Sequence, residues 1–185
     1  MIKQKLKLYY KFLVQKLFQC VYGKILITNK SKKLIKKIKV NNSTFKTLNN
    51  KSYYLYNIKK ARIYTDNNLN VAVIKDNILL PDLSFQQVNG KLKSIRYNSV
   101  TQKGTPSFVK AIKGKVLNLC QGASGNNYFH FMFDIIPRIL IFKSKNNLNE
   151  IDYFLLNKKI DWQIDILKLI GVNPKKIIQA KYYRH

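Results

Sequence analysis

His130, Asp134 and Arg138 stand four residues apart. At helical spacing this puts an imidazole, a carboxylate and a guanidinium in one row along one face. The trio admits three chemistries. Asp134 can fix the His130 tautomer and raise its basicity, giving a general base for a hydroxyl. Asp134 can itself be the base. Or the two form an ordinary hydrogen-bonded pair, with Arg138 neutralising Asp134 and closing the helix face. The first two require a rigid element that presents the row to an open pocket.

The flanking residues suggest that element. Residues 116–120, VLNLC, have strand length and β-branched weight. Gly122, Ser124, Gly125 and Asn126 follow as turn and capping residues. The spacing then becomes helical, with Phe129, Met132, Phe133, Ile136 and Ile139 expected to fill the packing sides. Asn126 is the expected N-cap. Pro137 lacks an N–H and is expected to kink or end the helix. The glycines let backbone approach a ligand, and a helix N-terminus favours anionic or hydroxyl-rich groups. Gly125, Asn126, Asn127 and Arg138 are therefore candidate substrate contacts, and His130 and Asp134 candidate catalytic groups. The loop is neither a dinucleotide-binding nor a Walker glycine pattern.

Beyond it the alternation continues. Residues 153–156 read as a strand. A helix runs from an Asp161 N-cap to Leu169 or Ile170, with Gly171 as the residue after its end and Pro174 beyond. Ile177 and Ile178 start a third strand. This β-α-β-α-β order predicts right-handed crossovers and a Rossmann-like parallel sheet, with ligands at the carboxyl ends of its strands. Upstream, strands at 62–65 and 71–74, turns at Asp66-Asn67-Asn68 and Asp76-Asn77, and the run 78–81 predict a small β meander. Residues 86–110, with Gly90, Gly104 and Pro106, read as loops with short strands. The fold class is thus α/β.

Gly125-Asn126-Asn127-Tyr128-Phe129-His130-Phe131, then Asp134 and Pro137-Arg138, resemble the N-x-x-H-[FW]-x-x-D-x-x-P-R signature of glycosyltransferase family 61. Arg62-Ile63-Tyr64, residues 79–84, Ile151-Asp152-Tyr153, Gln163, Leu167, Gly171-Val172 and Tyr183-Arg184-His185 are also similar to that family, so the resemblance spans about residues 61–185. It implies the N-terminal half of a two-domain GT-B-type enzyme. Such an enzyme moves a sugar from a nucleotide-sugar donor to an acceptor glycan hydroxyl, in bacterial surface polysaccharide or capsule synthesis. His130 and Asp134 would orient or deprotonate the acceptor. The donor half would come from a separate chain or from missing sequence, so little activity is expected of this chain alone. There is no D-x-D pair to hold a divalent ion on a diphosphate. No metal and no other cofactor is expected.

Charge adds a second theme. The chain has 35 basic residues against 8 acidic, a formal net charge of +27. Arginine occurs only at 62, 96, 138 and 184, and the abundance of Lys, Asn and Ile suits an AT-rich genome. A field this strong draws a protein to lipid head groups, nucleotides or nucleic acid. Cys20 and Cys120 make no metal or dense disulfide pattern, and a reducing compartment fits. Lysines interrupt every apolar run near the start, so no segment reaches the ~20 residues a membrane span needs.

Residues 1–60 read as a basic N-terminal helix and linker, and 61–185 as the α/β domain. Within 1–27, Ile2, Leu6, Tyr10, Leu13, Leu17 and Val21 recur near helical spacing, with Lys3, Lys7, Lys11 and Lys16 off that stripe. The pattern fits a helix lying on an anionic membrane surface, or one packed on the domain. The expected location is cytoplasmic, peripheral to the inner face of the membrane. Residues 30–39 read as a solvated linker, with an exposed helix turn or a nucleic-acid patch as alternatives, and Tyr53, Tyr54 and Tyr56 as strand residues, with base stacking as the alternative. Two rival functions stand beside the transferase. A basic nucleic-acid-binding module explains the charge but not the His/Asp/Arg row, and no recognised RNA motif surrounds the tyrosines. An inactive structural remnant is the other.

Overall fold

The computed structural model describes residues 2–28, 35–40, 52–66, 70–105 and 108–180. Part of the 30–39 run, Asn67 and Asn68, Pro106, and Tyr183-Arg184-His185 lie outside the described residues.

The chain opens with helix α1 (Ile2–Tyr22). A hairpin replaces the expected linker: β1 (Lys36–Val40) pairs antiparallel with β2 (Tyr53–Asn57). Lysine is a poor strand former alone, but here the Lys37 ammonium group lies over tyrosine rings. Lys37 Nζ sits 3.7 Å from the Tyr54 ring centroid, a cation–π contact. The pairing is set by that distant partner.

The meander comprises β3 (Arg62–Thr65), β4 (Asn70–Lys75), β5 (Ile78–Leu79), β6 (Phe85–Val88) and β7 (Lys91–Leu92), all paired antiparallel. Asp76 and Asn77 make the β4–β5 turn with φ of +49° and +58°, the left-handed conformation such residues tolerate. The stretch expected to be loop contains helix α2 (Ser99–Lys103). Buried Asn98 makes it possible. Its Oδ1 accepts from Val100 N–H at 3.2 Å, while its Nδ2 donates to the carbonyls of Val71 and Phe85. No periodicity signals a helix that one buried cap supports.

Then come β8 (Val116–Asn118), a composite helix α3 over residues 128–143, β9 (Tyr153–Leu156), α4 (Asp161–Leu169) and β10 (Ile177–Gln179). Among the described residues β8, β9 and β10 form a three-stranded sheet, parallel throughout, with β9 in the middle. The molecule is therefore mixed α/β, with the expected alternation of strands and helices along the chain and a parallel sheet. Asp161 is the first helical residue of α4 and Ile160 the cap, so the expected Asp161 cap is off by one position. Its carboxylate still lies at the positive end of the helix dipole. Gly171 closes α4 at φ +94°, and Val172 N–H reaches back to Leu167 O.

Side-chain alternation gives the parallel sheet two buried faces. Leu117, Leu119, Phe154, Leu156 and Ile177 pack with Phe131, Ile135 and Ile139 of α3 and Leu167 of α4. Val116, Cys120, Leu155 and Ile178 pack the other way, against Ile63, Val71 and Phe85 of the meander. The meander's far side buries Ala72, Ile74 and Leu79 with Val100 of α2 and Ile25, which follows α1.

Gly122 packs directly on the meander. A Cβ there would run into the Phe85 ring. Gly122→Ala should lower stability by about 1–3 kcal/mol through overpacking. Urea unfolding measures this, and Phe85→Leu should recover part of the loss in a double-mutant cycle.

Candidate active site

The site is built where β8 ends and α3 begins. Asn127, rather than Asn126, caps the helix: its Oδ1 accepts from His130 N–H at 3.2 Å. Asn126 is exposed, and its Oδ1 accepts from Lys158 Nζ at 3.0 Å. After one turn, Tyr128–His130, the helix widens to a π turn over Phe131–Ile135 before resuming as Ile136–Lys143. Ile136 N–H donates to Phe131 O, five residues back. Of the two expected effects, Pro137 does not end the helix, and the regular α pattern is broken just before it. It sits in the first turn of the following α segment, where its missing N–H costs nothing, and the wide turn relieves its ring.

Helical spacing decides what faces outward, since Phe131, Ile135 and Ile139 share the core side. Phe129 and Phe133, expected to pack, are instead 61 % and 65 % exposed, while Phe131, Ile135, Ile136 and Ile139 enter the core. The two outer rings lie 4.6 Å apart, and Phe129 meets the His130 ring edge-on at 5.8 Å. Next to them sits the predicted pair. His130 Nδ1 lies 2.9 Å from Asp134 Oδ2, and each side chain is 35 % exposed. The pair is neither in dry core nor fully in water.

Arg138 leaves the row. It donates to Cys120 O at 3.2 Å and to Gln121 Oε1 at 2.6 Å, and among the described residues no ion pair joins it to Asp134. Burial of its guanidinium lowers its pKa below the ordinary value, and the Asp134 charge pulls it partly back up. Arg138 therefore acts as a clamp on the end of the strand. Burial also pushes the Cys120 thiol up to about 12, against the opposing charge of Arg138. Cys120 is core, as its place after an apolar strand suggests.

The loop 121–126 is held from three further sides. Asn157, just past β9, accepts from Gln121 N–H at 2.7 Å and donates to Thr65 Oγ1 at 2.9 Å. Ser124 Oγ lies 2.7 Å from Gln121 O and 3.2 Å from Asn157 Oδ1. Gln163 Nε2 of α4 donates to the carbonyls of Ser124 and Gly125. Gly125 is buried with its carbonyl engaged, so it belongs to the frame under the site. Trp162 packs edge-on to Phe131 at 5.0 Å and meets Tyr128 at 5.3 Å, supporting the first turn.

Sequence reasoning brings His130, Asp134, Asn126 and Asn127 to one helix start, and there they are. It missed Asn157, Gln121 and Lys158, and did not foresee the exposed phenylalanines. Asn157 had one available signal: a polar residue right after a buried strand, at the sheet end where ligand loops gather. Among the described residues no group of three or more His, Cys, Asp or Glu side chains could hold a metal ion. An open groove of about 590 Å³ around Lys143, Asn147, Glu150 and Gly171 lies beyond the far end of α3, away from the pair.

The fold and site define an α/β chain with a His–Asp pair beside a glycine loop, at the carboxyl end of a parallel sheet. Comparison with known protein families, curated proteins and solved structures gives no match.

Two outcomes follow from this frame. Asn157→Ala takes the acceptor from Gln121 N–H and a donor from Thr65 Oγ1, and should lower stability by about 1–3 kcal/mol, read as a lower urea midpoint. The native Cys120 thiol holds its proton more tightly than the unfolded one. Its contribution is therefore complete below the ordinary thiol value of 9.0 and lost as pH rises toward about 12. In Cys120→Ala the fall of stability through that alkaline window should be shallower. In the native wild type a thiol reagent should modify exposed Cys20 and reach Cys120 only on unfolding.

Proposed function

We propose that this chain is the acceptor-side unit of a glycosyltransferase resembling family 61, Rossmann-like and belonging to a two-domain GT-B-type enzyme. The observation that carries this reading is the His130–Asp134 pair at 2.9 Å, half-open to solvent beside two exposed phenylalanines. With the proton on Nδ1 donated to Asp134, Nε2 is free to accept. It takes the proton of an acceptor hydroxyl as that oxygen attacks the donor's anomeric carbon. The new carbon–oxygen bond forms as the bond to the phosphate oxygen breaks. The nucleoside diphosphate leaves with the bonding pair, and Asp134 stabilises the imidazolium. Phe129 and Phe133 offer apolar surface to the C–H face of a sugar ring. Asn126 and Asn127 lie at the helix start, within reach of sugar hydroxyls.

The reading assigns the donor diphosphate to a second unit, in further sequence or on a partner chain. It uses no metal and no other cofactor. It locates the work at the cytoplasmic face of a membrane, on bacterial surface polysaccharide such as capsule. Among the described residues no helix is long and apolar enough to cross a membrane.

The test pairs binding with turnover. Saturation-transfer NMR against an oligosaccharide panel should detect acceptor binding that Phe129→Ala/Phe133→Ala removes. Nucleoside diphosphate release from a nucleotide-sugar panel should be negligible for the 185-residue chain. With a donor-binding unit supplied, His130→Ala or Asp134→Ala should cut kcat by roughly 10²–10⁴-fold. Undiminished turnover in both variants would sink the general-base role. Turnover by the chain alone would sink the need for a second unit.

A nucleic-acid-binding reading draws on the +27 charge and on Lys37 stacked over Tyr54. Its mark is sequence-dependent binding that survives high salt, where nonspecific attraction fades.

A further inference from the structure

Helix α1 turns its most regular apolar side away from the rest of the chain. Each helical residue advances about 100°, which gathers Leu6, Tyr10, Leu13, Leu17 and Val21 into one stripe. All five are 48–68 % exposed. The contacts with the body come from the other side. Phe18 is buried and meets Phe108 edge-on at 5.0 Å. Gln15 Nε2 donates to Gln102 O at 2.9 Å, and Tyr22 Oη accepts from Val109 N–H at 3.0 Å. Residues 3–13 are exposed all round, so the first half of α1 projects from the body.

Lysines border the stripe. By the same helical geometry, Lys5 and Lys16 flank one side, and Lys3 and Lys7 the other. The chain has no acidic residue before Asp66. A helix with an apolar stripe, lysine margins and no carboxylate suits an interface where hydrocarbon meets phosphate. A second copy of α1 would bring lysine against lysine with no carboxylate to meet it.

We propose that α1 is a membrane-docking helix. It lies flat on an anionic phospholipid surface, with Leu6, Tyr10, Leu13, Leu17 and Val21 in the acyl boundary and the flanking lysines at the phosphates. The +27 charge brings the protein to the surface and the stripe holds it there. This surface goes beyond the proposed reaction and does not depend on what His130 does.

Flotation of the full chain with phosphatidylglycerol-containing vesicles, against phosphatidylcholine alone, tests it. The chain should float with the anionic vesicles only. Leu13→Asn/Leu17→Asn changes no charge and should cut recovery roughly fivefold or more. Leu8→Asn, equally exposed but off the stripe, should leave recovery unchanged. Equal recovery for the wild type and Leu13→Asn/Leu17→Asn would overturn the proposal in favour of charge alone. So would self-association in lipid-free buffer that the same double variant abolishes, which would make a second copy the occupant. A readout without stripe substitutions uses exposed Cys20 on α1, labelled with an environment-sensitive dye while buried Cys120 stays unmodified. Blue-shifted emission quenched by brominated anionic lipid supports insertion, and unshifted emission on bound vesicles overturns it.

Discussion

A parallel sheet covered on both faces leaves its polar backbone unmet at the strand ends. Here one buried amide answers that need. Asn157 ties the loop after β8 to the end of β9 and, through Thr65, to the meander. Arg138 and Gln163 add their donors to neighbouring carbonyls. An unpaired group in such a place costs about 1–3 kcal/mol, comparable to a large part of a small domain's margin. The loop is rigid because its polar atoms have fixed partners, and it is through that rigidity that α3 starts at a fixed place and angle.

The position of α3 then sets what the His130–Asp134 pair can do. Phe131, Ile135 and Ile139 take the core side of α3, which leaves Phe129 and Phe133 exposed next to the pair. The π turn accommodates Pro137 just after it. Arg138 reaches the strand end instead of the pair. The row therefore splits into a half-open acid–base pair and a buried clamp. Asp134 influences both, through a hydrogen bond to His130 and through its charge on Arg138.

The molecule also separates two kinds of surface. Acid–base groups gather at the sheet's carboxyl end, while the lysine-bordered stripe occupies a projecting helix. Ile25 and the Leu26–Ile78 bridge join α1 to the meander, so the helix is attached through packed chain rather than by a loose tether. A docked α1 would hold the body at a defined distance from a lipid surface, a useful geometry for any reaction on lipid-linked material.

Much of this follows from local pattern. The strands at 62–65 and 153–156, the Asp76-Asn77 turn and the Gly171 helix end all depend on residues near one another in the chain. So does the His130–Asp134 contact, because four residues span one helical turn. The β1–β2 hairpin, α2 and the clamping of Arg138 depend instead on partners brought from elsewhere. Asn157 reaches Gln121 across 36 residues and Thr65 across 92. Spacing alone determined that an imidazole and a carboxylate would touch. Only the packed tertiary structure decided which side of α3 would meet water, since burial and buried hydrogen bonds belong to the assembled layers and not to any one stretch.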